Sequence, residues 1–237
     1  TTLHEKAIYL HESRQFHVER FDYEGRKAYV KQVECDYYTD AIDYTQVKTL
    51  QEFESAEMAG ARRAHGDVRV NRQIVGFKKI KFYTNENVGA GKLSLPEQEM
   101  HTTAFWLHFP SPFLARLDGF APAERVSGIT GLGNALRTVA ALLLMCDPHD
   151  LGVALSEAVP GGAAFEPDLY LYDAYPGGIG QSAPLFRMAE QLVRQTAELI
   201  ASCGCEAGCP SCVGPAGEIG DRGKEAAARI LEELARV

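Results

Sequence analysis

Four of the six cysteines in this 237-residue chain fall within one short stretch, at Cys203, Cys205, Cys209 and Cys212. Their spacing is C-x-C-x3-C-x2-C, and glycine and proline residues that favour tight turns lie among them. A structural zinc ion takes four ligands in a tetrahedron, with Zn–S distances of about 2.3 Å, and thiolates paired on tight turns supply that geometry. The stretch therefore predicts a structural zinc site with one ion per chain.

Other interpretations of the cluster are disulfide bonds, buried thiols without a ligand, and a thiol redox centre at Cys203 and Cys205. Disulfides between cysteines two or three positions apart would close very small loops, and Cys35 and Cys146 offer only two isolated partners. Cys146 follows an apolar helical run and is a candidate to replace Cys203, the member of the cluster most easily spared. Cys35 lies in a β region and is interpreted as a small buried residue.

A glycine-rich loop, residues 176–180 (PGGIG), follows a predicted strand at 168–173 and precedes a predicted helix. Its backbone N–H groups can bind a phosphate; alternatively, the glycines only let the turn pass close to the metal cluster. Asp173 is predicted to fix this loop by hydrogen bonding, because the sequence shows no paired base that would make it catalytic. Walker, dinucleotide-binding, HExxH and GxSxG motifs are missing from the sequence, so we predict no catalytic residues.

The formal net charge is −8, which argues against nonspecific binding of nucleic acid by the chain as a whole. Residues 60–82 differ, because they contain seven Lys or Arg residues and a single Asp. Apolar and basic residues alternate along residues 74–82, a pattern typical of a half-exposed strand. The candidate contacts to single-stranded DNA are Lys78, Lys79, Lys81, Arg69 and Arg72. A solvated sheet face explains the same pattern equally well.

The spacing of apolar residues changes along the chain, and it predicts which elements hold these candidate residues. Residues 3–110 show short alternating runs separated by turn signals, which predict a small antiparallel sheet or barrel. After Ser127 apolar residues recur at helical spacing, and further helices are predicted at 182–200 and 221–234. The sequence therefore predicts an α+β fold, with an antiparallel β subdomain at 1–110 and a helical, zinc-binding subdomain at 111–237.

The sequence also leads to expectations about the cellular compartment and about whether the chain is part of a longer protein. No apolar run approaches the 18 residues of a membrane span, no signal peptide is visible, and clustered thiols favour a reducing cytoplasm. We therefore expect a cytoplasmic protein with no membrane partner. Because the first residue is Thr rather than Met, we expect a processed chain or a fragment of a longer protein.

Two segments together resemble a known family: residues 171–180 (LYDAYPGGIG) and 203–213 (CGCEAGCPSCV) are similar to the C-terminal zinc-binding domain of MrfA/YprA-type superfamily-2 DNA helicases. Four upstream segments also resemble that family, and they are residues 7–10 (AIYL), 36–39 (DYYT), 75–80 (VGFKKI) and 145–151 (MCDPHDL). The resemblance spans roughly residues 5–215.

The resemblance implies an accessory region attached to an ATP-dependent 3′-to-5′ DNA translocase linked to DNA repair, including removal of crosslinking-drug adducts. It implies a structural zinc held by Cys203, Cys205, Cys209 and Cys212. The implied partners are the helicase motor domains of the same parent chain, single-stranded DNA, and a repair nuclease or another protein. Because this sequence has no motor motifs, we expect no helicase or ATPase activity from it alone. The alternative function is a zinc-stapled protein-interaction platform without DNA contact.

Overall fold

The structure is a computed structural model, and it describes residues 3–84, 86–156 and 165–236. Among these residues the chain forms nine strands, six α-helices and one 3-10 turn (Pro148–Asp150). Their order along the chain is β1 (Ile8–His11), β2 (Arg14–Asp22), β3 (Lys27–Val33), β4 (Tyr37–Met58), β5 (Ala61–Lys81), β6 (Asn87–Lys92), β7 (Gln98–His108), α1 (Ser111–Leu114), α2 (Pro122–Leu144), β8 (Leu151–Leu155), β9 (Asp168–Asp173), α3 (Ser182–Arg187), α4 (Ala189–Ser202), α5 (Ala216–Ile219) and α6 (Gly223–Leu234).

The chain divides into two compact units that are discontinuous in sequence. The first consists of residues 1–45 and 71–98, and the second of residues 46–70 and 99–237. The long strands β4 and β5 contribute residues to both units. One sheet has the strand order β1-β2-β3, and the other has the order β4-β5-β7-β9-β8, with β6 paired to β5.

The first unit is built from antiparallel strands. Strand β2 pairs with β1 on one side and with β3 on the other, with Phe16 opposite Tyr9 and Gln32. The β2–β3 turn is closed by the Asp22 carboxylate, which accepts a hydrogen bond from the Gly25 N–H at 2.7 Å. Val18 and Phe77 are buried, which places apolar side chains on the inner side of these strands.

The second unit packs helices on a sheet. Strand β9 lies between β7 and β8, all antiparallel, with Tyr170 opposite Trp106 and Ala154. Helix α2 packs against α4, α6 and both strands β8 and β9. Its side chains Leu132 and Leu136 are fully buried, so α2 forms the centre of the core.

Glycines let helix α2 approach its neighbours closely. A Cβ at Gly128 would lie 2.6 Å from the Ala226 Cβ on α6, and one at Gly131 would lie 3.2 Å from the Val213 Cβ. Real Cβ atoms do not come as close as 2.6 Å, so a side chain at Gly128 would push α6 away from α2. Gly128 therefore lets α2 pack closely on α6, and Gly131 lets α2 lie against Val213.

Helix α2 is also long and apolar enough to cross a membrane, but 56% of its most apolar window is buried inside the protein. Such burial is what the core helix of a globular unit shows, because the apolar residues already have partners.

The predicted α+β class, with antiparallel strands first and helices later, is confirmed. The short strands predicted between residues 47 and 82 are in fact two strands of 22 and 21 residues, since β4 continues through exposed positions such as residues 51–54. Strand β8 lies where the sequence pattern predicted no strand. The helix predicted at 182–200 is interrupted at Met188, which has φ −96° and ψ 11°. The division at residue 110 stays a prediction.

Candidate metal centre

The four clustered cysteines lie on the turn between α4 and α5. Helix α4 ends at Ser202, and Cys203 leaves it with an extended backbone at φ −77° and ψ 121°. The carbonyl oxygen of Cys209 accepts N–H hydrogen bonds from Cys212 and Gly214, both at 3.0 Å, which closes a tight turn. The turn brings the two halves of the motif together.

The four sulfur atoms have the spacing that a zinc ion requires. The Sγ–Sγ distances are 3.5 Å for Cys203–Cys205 and Cys205–Cys212, and 3.6 Å for Cys203–Cys209 and Cys209–Cys212. All four atoms lie within 4.8 Å of one another. A regular tetrahedron with Zn–S bonds of about 2.3 Å has S–S edges of about 3.8 Å, so this donor set fits zinc.

Gly208 makes this geometry accessible to the backbone. Its φ of +132° is a conformation that side chains rarely adopt, and a Cβ there would lie 2.5 Å from the carbonyl oxygen of Gly214. Gly204, by contrast, has no atom within 4 Å of where a Cβ would lie. The turn therefore needs glycine at position 208 and tolerates other residues at 204.

The thiols differ in how readily they ionise. Desolvation opposes ionisation of Cys205, but hydrogen bonds with Cys212, Cys203 and Lys224 outweigh it and lower the Cys205 pKa to about 7. Burial raises the pKa of Cys212 to about 12. Cys205 therefore gives up its proton more readily than Cys212, and metal binding requires both to do so.

Two side chains from neighbouring helices hold the cluster from outside. The ammonium of Lys224, on α6, donates to the carbonyl oxygens of Cys203 at 2.7 Å and Cys205 at 2.5 Å. The amide of Asn134, on α2, donates to the Val213 carbonyl oxygen at 3.2 Å. Sequence reasoning missed both, because neither lies near the cysteines in the chain.

The remaining cysteines lie elsewhere. Cys146 is not in the cluster; burial and the negative charges of Asp150, Asp147 and Asp173 raise its pKa. It lies 12 residues beyond Asn134 in sequence, which is about 18 Å along a helix. The geometry thus favours Cys203 over Cys146 as the fourth ligand. Cys35, half-buried in the first unit, donates from Sγ to the Tyr37 carbonyl oxygen at 3.3 Å.

The glycine-rich loop at 176–180 is filled by a carboxylate of the protein itself. Asp173 is 1% exposed, and its Oδ2 accepts hydrogen bonds from the N–H groups of Ile179 at 2.7 Å and Gly180 at 3.0 Å. The hydroxyl of Thr103 donates to the same oxygen at 3.0 Å. The hydrogen-bonding role predicted for Asp173 is confirmed, and these N–H groups are not free for a phosphate. Gly178 lies against Thr103, so this glycine lets the loop pass close to β7 rather than to the metal cluster.

Most of the predicted DNA-contacting cations have partners within their own unit. In the first unit, the Lys79 ammonium lies 5.0 Å from the Tyr37 ring centroid, and Lys81 lies 3.5 Å from the Asp36 carboxylate. Arg72 pairs there with Asp43 at 3.0 Å. Lys78 is exposed and has no partner among the described residues.

Arg69 belongs to the second unit, where it lies 3.8 Å from the Glu99 carboxylate. The two units also differ in net charge. The first contains 11 Lys and Arg residues against 11 Asp and Glu residues, and the second contains 13 against 21. That these cations contact DNA stays a prediction.

Comparison with known proteins shows what this chain is similar to. Residues 132–213 match the family model of the MrfA Zn-binding domain (MZB). The chain is 38% identical over 235 residues to the ATP-dependent helicase YprA of Bacillus subtilis (strain 168), covering 99% of this chain and 30% of YprA. It is 20% identical over 222 residues to the ATP-dependent helicase HRQ1 of Saccharomyces cerevisiae (strain ATCC 204508 / S288c), covering 90% of this chain and 20% of HRQ1.

A solved structure agrees with these sequence matches. The crystal structure of the DUF1998 helicase MrfA bound to DNA superposes with a TM-score of 0.63 at 36% identity, covering 98% of this chain and 30% of the MrfA chain. The chain thus spans less than a third of the length of these helicases. The expected zinc cofactor is confirmed by the family match and by the cysteine cluster. Residues 132–213 thus match the MrfA Zn-binding domain, and the resemblance to the MrfA/YprA-type helicases is confirmed.

Proposed function

We propose that this chain is the zinc-binding accessory region of an ATP-dependent DNA helicase and that its zinc is structural. The observation that carries the proposal is the cluster of four thiols, whose mutual distances match those between the four ligands of a tetrahedral zinc ion. A catalytic zinc keeps one position open for water or substrate, whereas four thiolates close the shell. The ligands in this proposal are Cys203, Cys205, Cys209 and Cys212.

The zinc in this proposal joins the cysteine turn to the helical core. The turn is already tied to α2 through Asn134 and to α6 through Lys224, and the ion would connect the end of α4 to the same assembly. A metal-stabilised core of this kind would give the helicase motor a rigid support. A reducing compartment such as the cytoplasm would keep the thiols available for the metal.

The activity of the longer protein is part of the proposal. Similarity to YprA over 99% of this chain supports a parent protein with ATP-dependent motor domains, which would be the main partner of this region. The 3′-to-5′ direction and a role in DNA repair follow from the family resemblance. The MrfA structure bound to DNA supports DNA as a second partner.

We place the DNA contact on the first unit. Its charges balance, whereas the second unit carries eight more acidic than basic residues and would repel a phosphate backbone. Lys78 is exposed and unpaired among the described residues, and the Lys79 and Lys81 partners are single contacts that a phosphate can replace.

Metal analysis and DNA binding together test this function. We expect one zinc per chain by mass spectrometry, lost in single serine variants of the four clustered cysteines and retained in Cys35→Ser and Cys146→Ser. We also expect salt-dependent binding of fluorescent single-stranded oligonucleotides, weakened in the triple variant Lys78→Gln, Lys79→Gln, Lys81→Gln.

A matched triple variant controls for net charge. Lys48, Arg187 and Arg194 are exposed in the second unit, and changing all three to Gln removes the same charge. This variant leaves Lys78, Lys79 and Lys81 of β5, the basic strand, unchanged. Equal loss of binding in both variants would contradict a localised contact. A zinc-loaded chain that binds no DNA would favour the protein-interaction platform.

A further inference from the structure

The first unit contains a cleft of about 540 Å³ beside the turn between β2 and β3. The end of β2, this turn and the start of β3 form part of its lining, and Leu3, β5, Leu95, Pro96 and Gln98 form the rest. This volume is within the range of about 300–1,000 Å³ that small-molecule pockets occupy. The cleft is separate from the metal centre, which lies in the second unit.

One part of the lining is aromatic. Phe21 and Tyr23 meet edge to face with their ring centroids 6.1 Å apart, and Tyr23 is 40% exposed. The Gln98 amide donates to the Tyr23 hydroxyl at 3.3 Å, which fixes the ring from across the lining. Leu95 and Pro96 add apolar surface. A planar, partly apolar group can therefore stack in this cleft.

The other part of the lining is cationic. Arg26, Lys27 and Arg72 line the cleft, and none of the described residues that line it carries a carboxylate. Arg72 is paired with Asp43, but Arg26 and Lys27 have no acidic partner among the described residues. The backbone of Arg26 is held in the turn by its N–H, which donates to the Tyr23 carbonyl oxygen at 3.3 Å. Two free cations thus stand next to an aromatic surface.

We propose that this cleft binds one unstacked nucleotide of single-stranded DNA, with the base against Phe21 and Tyr23 and its phosphate on Arg26 and Lys27. Nucleic-acid sites that accept single strands combine cations along the backbone with rings on which bases stack. A base inside a duplex is already stacked on both faces, so the cleft selects single strands. This inference rests on the proposed function and adds to it a site that reads the presence of a base.

The site differs from the basic strand in what it recognises. Lys78, Lys79 and Lys81 offer charge only, and their contribution depends on phosphates and on salt. The cleft offers a ring as well, so its contribution depends on whether the DNA carries a base. Abasic DNA separates the two, because it keeps the phosphates and removes the stacking partner.

The test measures binding of the zinc-loaded chain to fluorescein-labelled dT12 and to an abasic strand of the same length, by anisotropy at several salt concentrations. For the wild type we expect dT12 to bind roughly 5- to 100-fold more tightly than the abasic strand. Tyr23→Ala should weaken dT12 by a similar factor and leave the abasic strand unchanged. The double variant Arg26→Gln, Lys27→Gln should weaken both strands and reduce the slope of log K against log salt by up to about 1.4.

The control variant is Arg14→Gln, Lys31→Gln, which removes two exposed charges from the same sheet outside the cleft. It should retain the preference for dT12 over the abasic strand. DNA binding that is equal for both strands, or unchanged by Tyr23→Ala in a chain shown by circular dichroism to be folded, would overturn the cleft and leave the proposed function standing. No binding of either strand by the wild type would overturn the proposed DNA contact itself, and the cleft inference with it.

Discussion

Lys224 holds the backbone of Cys203 in place, because its ammonium donates to the Cys203 carbonyl oxygen at 2.7 Å from the first turn of helix α6. The same ammonium reaches the Cys205 carbonyl oxygen, so a single cation spans both residues of the C-x-C pair. Four thiolates around Zn²⁺ carry a net charge of −2, and Lys224 supplies a nearby positive charge. The residue therefore positions the proposed metal centre and offsets part of its negative charge.

Lys224→Met should weaken zinc binding by roughly 10- to 100-fold, the usual cost of removing a partner that orients metal ligands. The apolar stem of the side chain is retained, so the loss reflects the ammonium. The measurement is competition with a chromophoric zinc chelator. Lys48→Met makes the same chemical change on an exposed site in the second unit, and it should leave the zinc affinity unchanged. Equal affinities of Lys224→Met and wild type would show that the ammonium has no role at the metal.

Gly208→Ala should destabilise the protein by about 1–3 kcal/mol, the cost of forcing a side chain into a backbone conformation that it rarely adopts. At φ +132° the new Cβ would also meet the carbonyl oxygen of Gly214, so the turn must open and the four thiols must separate. Thermal unfolding with and without zinc measures both effects.

Gly204→Ala is the matched control for this change, since it alters the other glycine of the cluster, where a Cβ has free space. We expect its melting temperature and zinc content to be close to those of the wild type. If the two alanine variants behave alike, the backbone of residue 208 does not limit the metal centre.

The sequence was enough to predict the metal centre because its four ligands lie within one turn of chain. Their spacing alone determines that the thiols can converge, whatever the rest of the fold does. Lys224 and Asn134 were not predictable in the same way, because their positions depend on how α6 and α2 pack, and that packing depends on contacts distant in sequence.

The lengths of strands β4 and β5 could not be predicted from the sequence. Local pattern predicted strands in this region, but their lengths of 22 and 21 residues follow from pairing between strands, which continues where the apolar–polar alternation is weak. The cleft beside Tyr23 was missed for a related reason. Arg26 and Lys27 are close to Tyr23 in sequence, but Arg72, Leu95 and Gln98 join them only through the fold.

Asp173→Ala should lower the free energy of unfolding by about 2–4 kcal/mol. The carboxylate is buried and accepts hydrogen bonds from the N–H groups of Ile179 and Gly180 and from Thr103, so its removal leaves several donors without a partner. Urea unfolding measures the loss. Asp118→Ala, which removes an exposed carboxylate without a partner among the described residues, should change stability by less than about 0.5 kcal/mol. A similarly small loss for Asp173→Ala would mean that water replaces the carboxylate in the loop.

Ionisation of Tyr170 should lower the free energy of unfolding between pH 10 and pH 12. Burial, together with the negative charge of Asp168, raises the Tyr170 pKa to about 12, against about 10 in an unfolded chain. The folded state therefore holds the phenol proton more tightly, and this contribution, about 3 kcal/mol, is complete below pH 10 and disappears as the pH rises to 12. Tyr170→Phe should show a correspondingly smaller decline in unfolding free energy over this range. Tyr83→Phe changes a fully exposed ring, leaves Tyr170 intact and should keep the wild-type decline; a Tyr170→Phe curve parallel to it would show that the buried phenol does not govern alkaline stability.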